Sequence, residues 1–174
     1  MNCNLLVTTF KYKESDASDE LSQLLDMLGD KEPSIEITSI SGIILANTRL
    51  DPLQIVENCR EVVRNEPWRF RYVLRIIPLE KTCRAELTDI HNVVNQLCPK
   101  IGQHETFMVM IEKRHTKLHS KEIISTVTSD IDRKVNLDNP NWIILIQIVN
   151  RLAGISILRS NQIFSSVREK ISVQ

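Results

Sequence analysis

Along this chain the spacing of apolar and polar positions changes period several times, and each change marks an element. Residues 4–10 open with an apolar run that reads as a buried strand. Ala17, Leu21, Leu24, Leu25 and Leu28 then fall on one face of a helix. Ser15 is placed to cap it, Asp16, Asp19 and Glu20 load its first turn with the favoured charge, and Gly29 ends it. Residues 34–39 and 42–47 read as a hairpin turning near Ser41 and Gly42, with Ile35 and Ile37 on one side. A second helix starts from Asp51 as cap with Pro52 at its first position, carries Ile55, Val56, Cys59, Val62 and Val63, and closes before Pro67.

The chain turns on the stretch from Trp68 to Ile90. Residues 70–77 are dense in aromatic and β-branched side chains and stop at Pro78, which predicts a strand ending at Ile77. From Cys83 the period changes: Cys83, Leu87, Ile90, Val94 and Leu97 predict a helix with Thr82 as its N-cap. The order up to the strand is strand, helix, strand, strand, helix, strand. That is the split βαβ arrangement of a ferredoxin-like fold, with helices on one face of the sheet.

Residues 99–105 read as a loop, and residues 106–112 as a strand in which Phe107, Val109 and Ile111 alternate with Met108 and Met110, so both faces are expected to be buried. The segment KRHTKLHS at 113–120 is a polar loop, Ser120 or a neighbour caps a helix carrying Ile123, Ile124, Val127 and Ile131, and residues 142–149 form the next strand. A strand, helix and strand in that order predict a parallel pair joined by a right-handed crossover. Ligand sites in such sheets gather at the carboxyl ends of strands, where Lys113, Arg114 and Lys117 fall. VNLDNPNW at 135–142 is a turn around Asn-Pro. A last strand spans 154–158, and Ser160 is expected to cap a terminal helix with Ile163, Phe164, Val167 and Ile171 inward. The expected fold is a two-part α/β (α+β) protein with domains at 1–79 and 80–174, the second built on a mixed sheet.

Of 174 residues, 42% are hydrophobic and 25% charged, which suits soluble domains with a real core. No signal-peptide order stands near the N-terminus and the apolar runs are too short for a bilayer, so a cytoplasmic protein without membrane contact is expected. Cys3, Cys59, Cys83 and Cys98 form no CxxC pair and read as buried reduced thiols. The formal charge is zero, but its distribution is uneven. Residues 1–65 hold six Lys+Arg against eleven Asp+Glu, and residues 66–174 sixteen against eleven. An acidic half joined to a basic one suggests a face that attracts a polyanion and a face that does not.

With four glycines the chain has neither a dinucleotide fingerprint nor a P-loop, and it contains no GxSxG or HExxH. His115 and His119 are four apart but stand in a loop without further ligands, and Asp130 and Asp132 lie beside Arg133 and Lys134 as on a solvated face. No catalytic residue, metal or cofactor is expected. Arg69, Arg71, Arg75, Lys81 and Arg84 interleave with Trp68, Phe70 and Tyr72, a pattern that suits phosphates and exposed bases and equally an ordinary strand with one wet face. Lys113, Arg114, Lys117 and Lys121 form a second basic group, for phosphate or for solubility.

Five segments occur in a suggestive order: RIIPLEKTCRA at 75–85, EKRH at 112–115, EII at 122–124, VNLDNP at 135–140 and GISIL at 154–158. Over residues 70–160 the chain resembles the stand-alone THUMP-domain proteins, the tRNA-binding adaptors of the tRNA cytidine acetyltransferase that makes N4-acetylcytidine. Arg75 and Pro78 match that family's strand end, Thr82 and Cys83 its Thr-Cys pair, and Arg114 the arginine closing its central strand. The sequence departs from the pattern in having Ser120-Lys121 where an arginine is usual and Asn136 where an aspartate is usual. Lysine offers phosphate a point charge without arginine's planar fork.

The resemblance implies a tRNA-binding protein without catalysis that presents the acceptor stem and 3′ end to an acetyltransferase. Arg75, Arg84, Lys113, Arg114, Lys117 and Lys121 would neutralise phosphates, and Tyr72 or Trp68 would stack on bases. Two alternatives stand beside it. One is the RNA-binding subunit of a tRNA thiolation or methylation enzyme whose catalytic domain is on another chain. The other is a scaffold whose acidic first domain, with Asp16, Asp19, Glu20 and Asp30, docks a basic partner. The oligomeric state is open, a homodimer included.

Overall fold

The structure, a computed structural model, describes residues 2–174. In chain order its elements are β1 (Leu5–Thr8), α1 (Glu14–Leu28), β2 (Ser34–Ile37), β3 (Ile43–Asn47), α2 (Pro52–Asn65), β4 (Arg75–Pro78), β5 (Lys81–Arg84), α3 (Leu87–Leu97), β6 (Thr106–Arg114), α4 (Ser120–Thr128), β7 (Lys134–Val135), β8 (Trp142–Val149), β9 (Leu152–Leu158), β10 (Phe164–Ser165) and α5 (Ser166–Val173). They form two compact units. One runs to Leu79 and takes in Asn161–Gln174, and the other is Glu80–Ser160.

In the first unit the sheet order is β10-β4-β1-β3-β2, with every pair antiparallel. The four strands β4-β1-β3-β2 have the ferredoxin-like order, and β10 extends it beside β4. Leu21 and Leu25 of α1, Ile55 and Cys59 of α2, and Phe70 and Phe164 share its core. Local chemistry sets the helix ends. The Asp51 carboxylate accepts the Leu53 N–H with Pro52 following it, and Gly29 takes φ 114, where a side chain would be strained.

Two expectations are corrected here. The strand foreseen over 70–77 is only Arg75–Pro78, preceded by a 3₁₀ turn at Pro67–Arg69. The Glu20 carboxylate accepts the N–H groups of Arg71 (2.7 Å), Tyr72 (3.1 Å) and Val73 (2.6 Å), so those donors serve a side chain and not a ladder. At the C-terminus, Phe164 and Ser165 pair with Ile76 and Arg75 as a strand. The final helix therefore begins only at Ser166, capped by the Ser165 hydroxyl, which accepts the Arg168 N–H. Phe164 is buried as expected, but Val167 and Ile171 are exposed. Residues 161–174 thus pack with the first unit, whereas the sequence suggested a domain of 80–174.

The second unit has sheet order β5-β9-β8-β6-β7, with β6 parallel to β7 and β8 and the other pairs antiparallel. Ile90 and Val94 of α3, Ile123 and Val127 of α4, and Phe107, Ile144 and Ile155 of the sheet share its core. Thr82 and Cys83 lie in β5, opposite Gly154 and Ala153, and α3 starts at Leu87 after Glu86, whose side chain makes no capping bond. The expected helix from Cys83 is corrected accordingly. Cys83 reaches the core as a strand residue, and Ala85 packs against the same core just past the strand end, which over so few positions mimics a helical spacing. β6 runs to Arg114, two residues beyond the expected end, and Met108 and Met110 are half-buried and not fully enclosed.

Candidate nucleic-acid interface

β5 and β8 both run antiparallel to β9, and β6 runs parallel to β8, so β5, β6 and β8 share a carboxyl end. That end carries Arg84 and Arg114 as the last residues of β5 and β6, and the Asn150-Arg151 turn between β8 and β9. Two backbone bonds tie it together: Ala85 N–H donates to the Arg151 carbonyl (2.8 Å) and Asn150 N–H to that of Arg114 (3.0 Å). His115 and Asn150 adopt φ 55 and 56, which turns the chain sharply after each strand. An open groove of about 600 Å³ lies here, lined by Arg84, Glu86, His115, Lys117, Asn150 and Arg151 among others.

Each cation has its own setting. The Arg84 side chain is 73% exposed and bonds Asp89 at 2.8 Å with Glu86 at 3.7 Å. Such wet ion pairs are worth little and exchange readily for a phosphate. Lys117 and Arg151 are exposed. Arg114 is held internally: Nη1 donates to Gln147 Oε1 (2.9 Å) and Nη2 to Glu112 (3.2 Å). Lys113 points to the other side of its strand, and its Nζ donates to the Leu118 carbonyl (2.8 Å), bracing the loop. Lys121 is exposed in the first turn of α4 and, like Lys113 and Arg114, does not line the groove.

The remaining expected residues belong to the first unit. Arg75 is half-buried in β4 between Thr8 and Ser165. Trp68 is exposed and Tyr72 half-buried, and both line a groove with Asp16, Asp19 and Glu20 of α1. These aromatics therefore sit beside carboxylates. Arg151 is the groove residue that sequence reasoning missed. Its position follows once the β8–β9 hairpin is placed at the carboxyl end of a parallel strand.

Burial pushes the Cys59 thiol up to about 12 and that of Cys83 to about 11, so neither is a ready thiolate. Among the described residues no helix is long and apolar enough to cross a membrane, and no cluster of three or more His, Cys, Asp or Glu could hold a metal. The Asn136 departure keeps its local function: its Oδ1 accepts the N–H groups of Asp138 (3.1 Å) and Asn139 (3.0 Å), the bonds an aspartate oxygen would accept.

Residues 84–158, which include the groove, match the family model of the THUMP domain. The second unit is a THUMP domain. The chain is 30% identical over 119 residues to the uncharacterized protein C25H2.10c of Schizosaccharomyces pombe, covering 64% of this chain and 41% of that protein. It is 20% identical over 141 residues to THUMP domain-containing protein 1 of Homo sapiens, covering 75% of this chain and 40% of that one. The chain thus spans about two fifths of the length of the curated relatives it matches. Among solved structures it shares its fold with PH1313 from Pyrococcus horikoshii (TM-score 0.67, 18% identity, 91% of this chain and 55% of that one). The fold is shared also with TrmN from Thermus thermophilus (TM-score 0.63, 15% identity, 90% and 45%).

Proposed function

We propose that this protein binds tRNA through its THUMP domain and presents it to a separate modifying enzyme, a cytidine acetyltransferase forming N4-acetylcytidine, without catalysing a reaction itself. The observation that carries this reading is the groove at the shared carboxyl end of β5, β6 and β8, where Arg84, Lys117 and Arg151 converge from three separate segments. Three cations around an open concavity suit a folded sugar-phosphate backbone, because they can meet successive phosphates and release their counterions. Arg114 supports the rim from inside, its guanidinium fixed by Gln147 and Glu112. The motif order from Arg75 to Leu158, which resembles that of the stand-alone THUMP-domain adaptors, favours the adaptor role over membership of a thiolation or methylation enzyme.

The test is quantitative nucleoside analysis of tRNA from cells lacking the protein, paired with purification of its bound partners. Selective loss of N4-acetylcytidine together with a bound acetyltransferase supports the proposal. Intact N4-acetylcytidine with loss of a thiolated or methylated nucleoside assigns the protein to the other enzyme class.

A further inference from the structure

The first unit carries a groove of its own, about 410 Å³, that shares no residue with the basic groove of the THUMP domain. Leu24 and Tyr72 give it an apolar floor, Trp68 stands beside it with 66% of its surface exposed, and Asp16, Asp19 and Glu20 of α1 line one side. Arg69 and Arg71 also line it; Arg69 is ion-paired with Glu66, and the exposed Arg71 leaves the three carboxylates of α1 in excess. Its shape is fixed from within, because the Glu20 carboxylate accepts three successive N–H groups of the 71–73 segment. An exposed tryptophan at the edge of a pre-organised, partly apolar groove is the make-up of an anchor point at a protein interface.

We propose that this groove docks a short segment of a partner protein bearing a lysine or arginine next to an apolar side chain. The apolar side chain would cover Trp68 and the cation would face Asp16 and Asp19. Two of the lining residues already hold an ammonium of the chain's own: Lys13 Nζ lies 3.1 Å from Asp16 Oδ2 and 5.5 Å from the centre of the Tyr72 ring. That pair is half-exposed on both sides, so an incoming cation displaces it at little cost. An RNA backbone would instead meet α1's carboxylates, in a half of the chain with eleven acidic residues against six basic ones.

The experiment follows the two tryptophan indole N–H signals by NMR in the full chain, with Trp68→Phe assigning that of Trp68. The probes are a synthetic Lys/Leu peptide, its Glu/Leu counterpart and tRNA. The Lys/Leu peptide is expected to shift the Trp68 signal and the Glu/Leu peptide to leave it in place. Asp16→Asn with Asp19→Asn should weaken the Lys/Leu peptide about tenfold. Asp19→Asn alone serves if the double variant loses its native spectrum. Equal response to both peptides, no response to the Lys/Leu peptide, affinity unchanged in the variants, or a Trp68 shift with tRNA alone would each overturn the proposal.

Discussion

Arg60 Nε lies 2.9 Å from Glu169 Oε1, joining α2 to a helix 109 positions later in the chain. The two side chains are only 11% and 15% exposed, and Arg60 also donates to the Asn161 carbonyl and to Glu57. Well-shielded charges with several bonds leave strong partners stranded when one is removed. Arg60→Ala is therefore expected to destabilise the first unit by about 2–3 kcal/mol. Urea unfolding followed by far-UV circular dichroism measures this, and a destabilisation below about 0.5 kcal/mol would show that the pair adds little to stability.

Phe164 meets Phe70 with ring centroids 4.9 Å apart, both fully buried. Phe164→Ala should cost about 3–5 kcal/mol, the range for emptying an aromatic site in a packed core. Thermal unfolding should show the first unit melting earlier while the THUMP core holds. A change confined to the second unit would contradict the assignment of residues 161–174.

Asp30 is fully buried, and its carboxylate accepts from the Thr48 hydroxyl (2.6 Å), Arg49 N–H (3.0 Å) and Glu32 N–H (3.2 Å). The Thr48 bond first, then the backbone bonds, outweigh burial and hold its pKa below the usual aspartate value. The depressed folded value means that Asp30 stabilises the protein fully above the unfolded pKa of about 3.9, and that this stability is lost as pH falls through the folded one. In chemical denaturation from about pH 7 down to about pH 2, Asp30→Asn should flatten the acid limb. An unaltered acid limb would assign acid sensitivity to other carboxylates.

Lys117→Ala and Arg151→Ala should each weaken tRNA binding and lower the slope of log affinity against log salt by about one unit for each phosphate no longer neutralised. Lys113→Ala with Arg114→Ala should also weaken binding, chiefly by loosening the loop and rim that those side chains brace. Filter binding across a salt series distinguishes the two: a uniform loss with unchanged slope marks a bracing residue, and a reduced slope marks a residue that meets phosphate. Unchanged affinity and slope in Lys117→Ala and Arg151→Ala would remove this groove from the RNA surface.

By itself the sequence determined most elements with strong local signals: the Asp51-Pro52 helix start, the Gly29 stop, the strand at 142–149 and the helical face of Ile123 and Val127. Each depends on periodicity or on capping chemistry within a few neighbouring residues. The motifs from Arg75 to Leu158 also announced the THUMP domain, because they mark turns and strand ends that recur in order.

Only the tertiary structure decided the rest, wherever a backbone donor or an apolar side chain found a partner far along the chain. Glu20 reaches 53 positions to claim the Val73 N–H, so a segment with strand composition stays irregular. Cys83 became a strand residue because Ala153 lies opposite it, and Phe164 joined the first unit because Ile76 and Phe70 await it there. Arg151 entered the basic groove for the same reason: a hairpin turn has no address until the direction of its strands is set. Local spacing chooses between helix and strand, whereas the pairing of distant segments chooses which ends and faces meet.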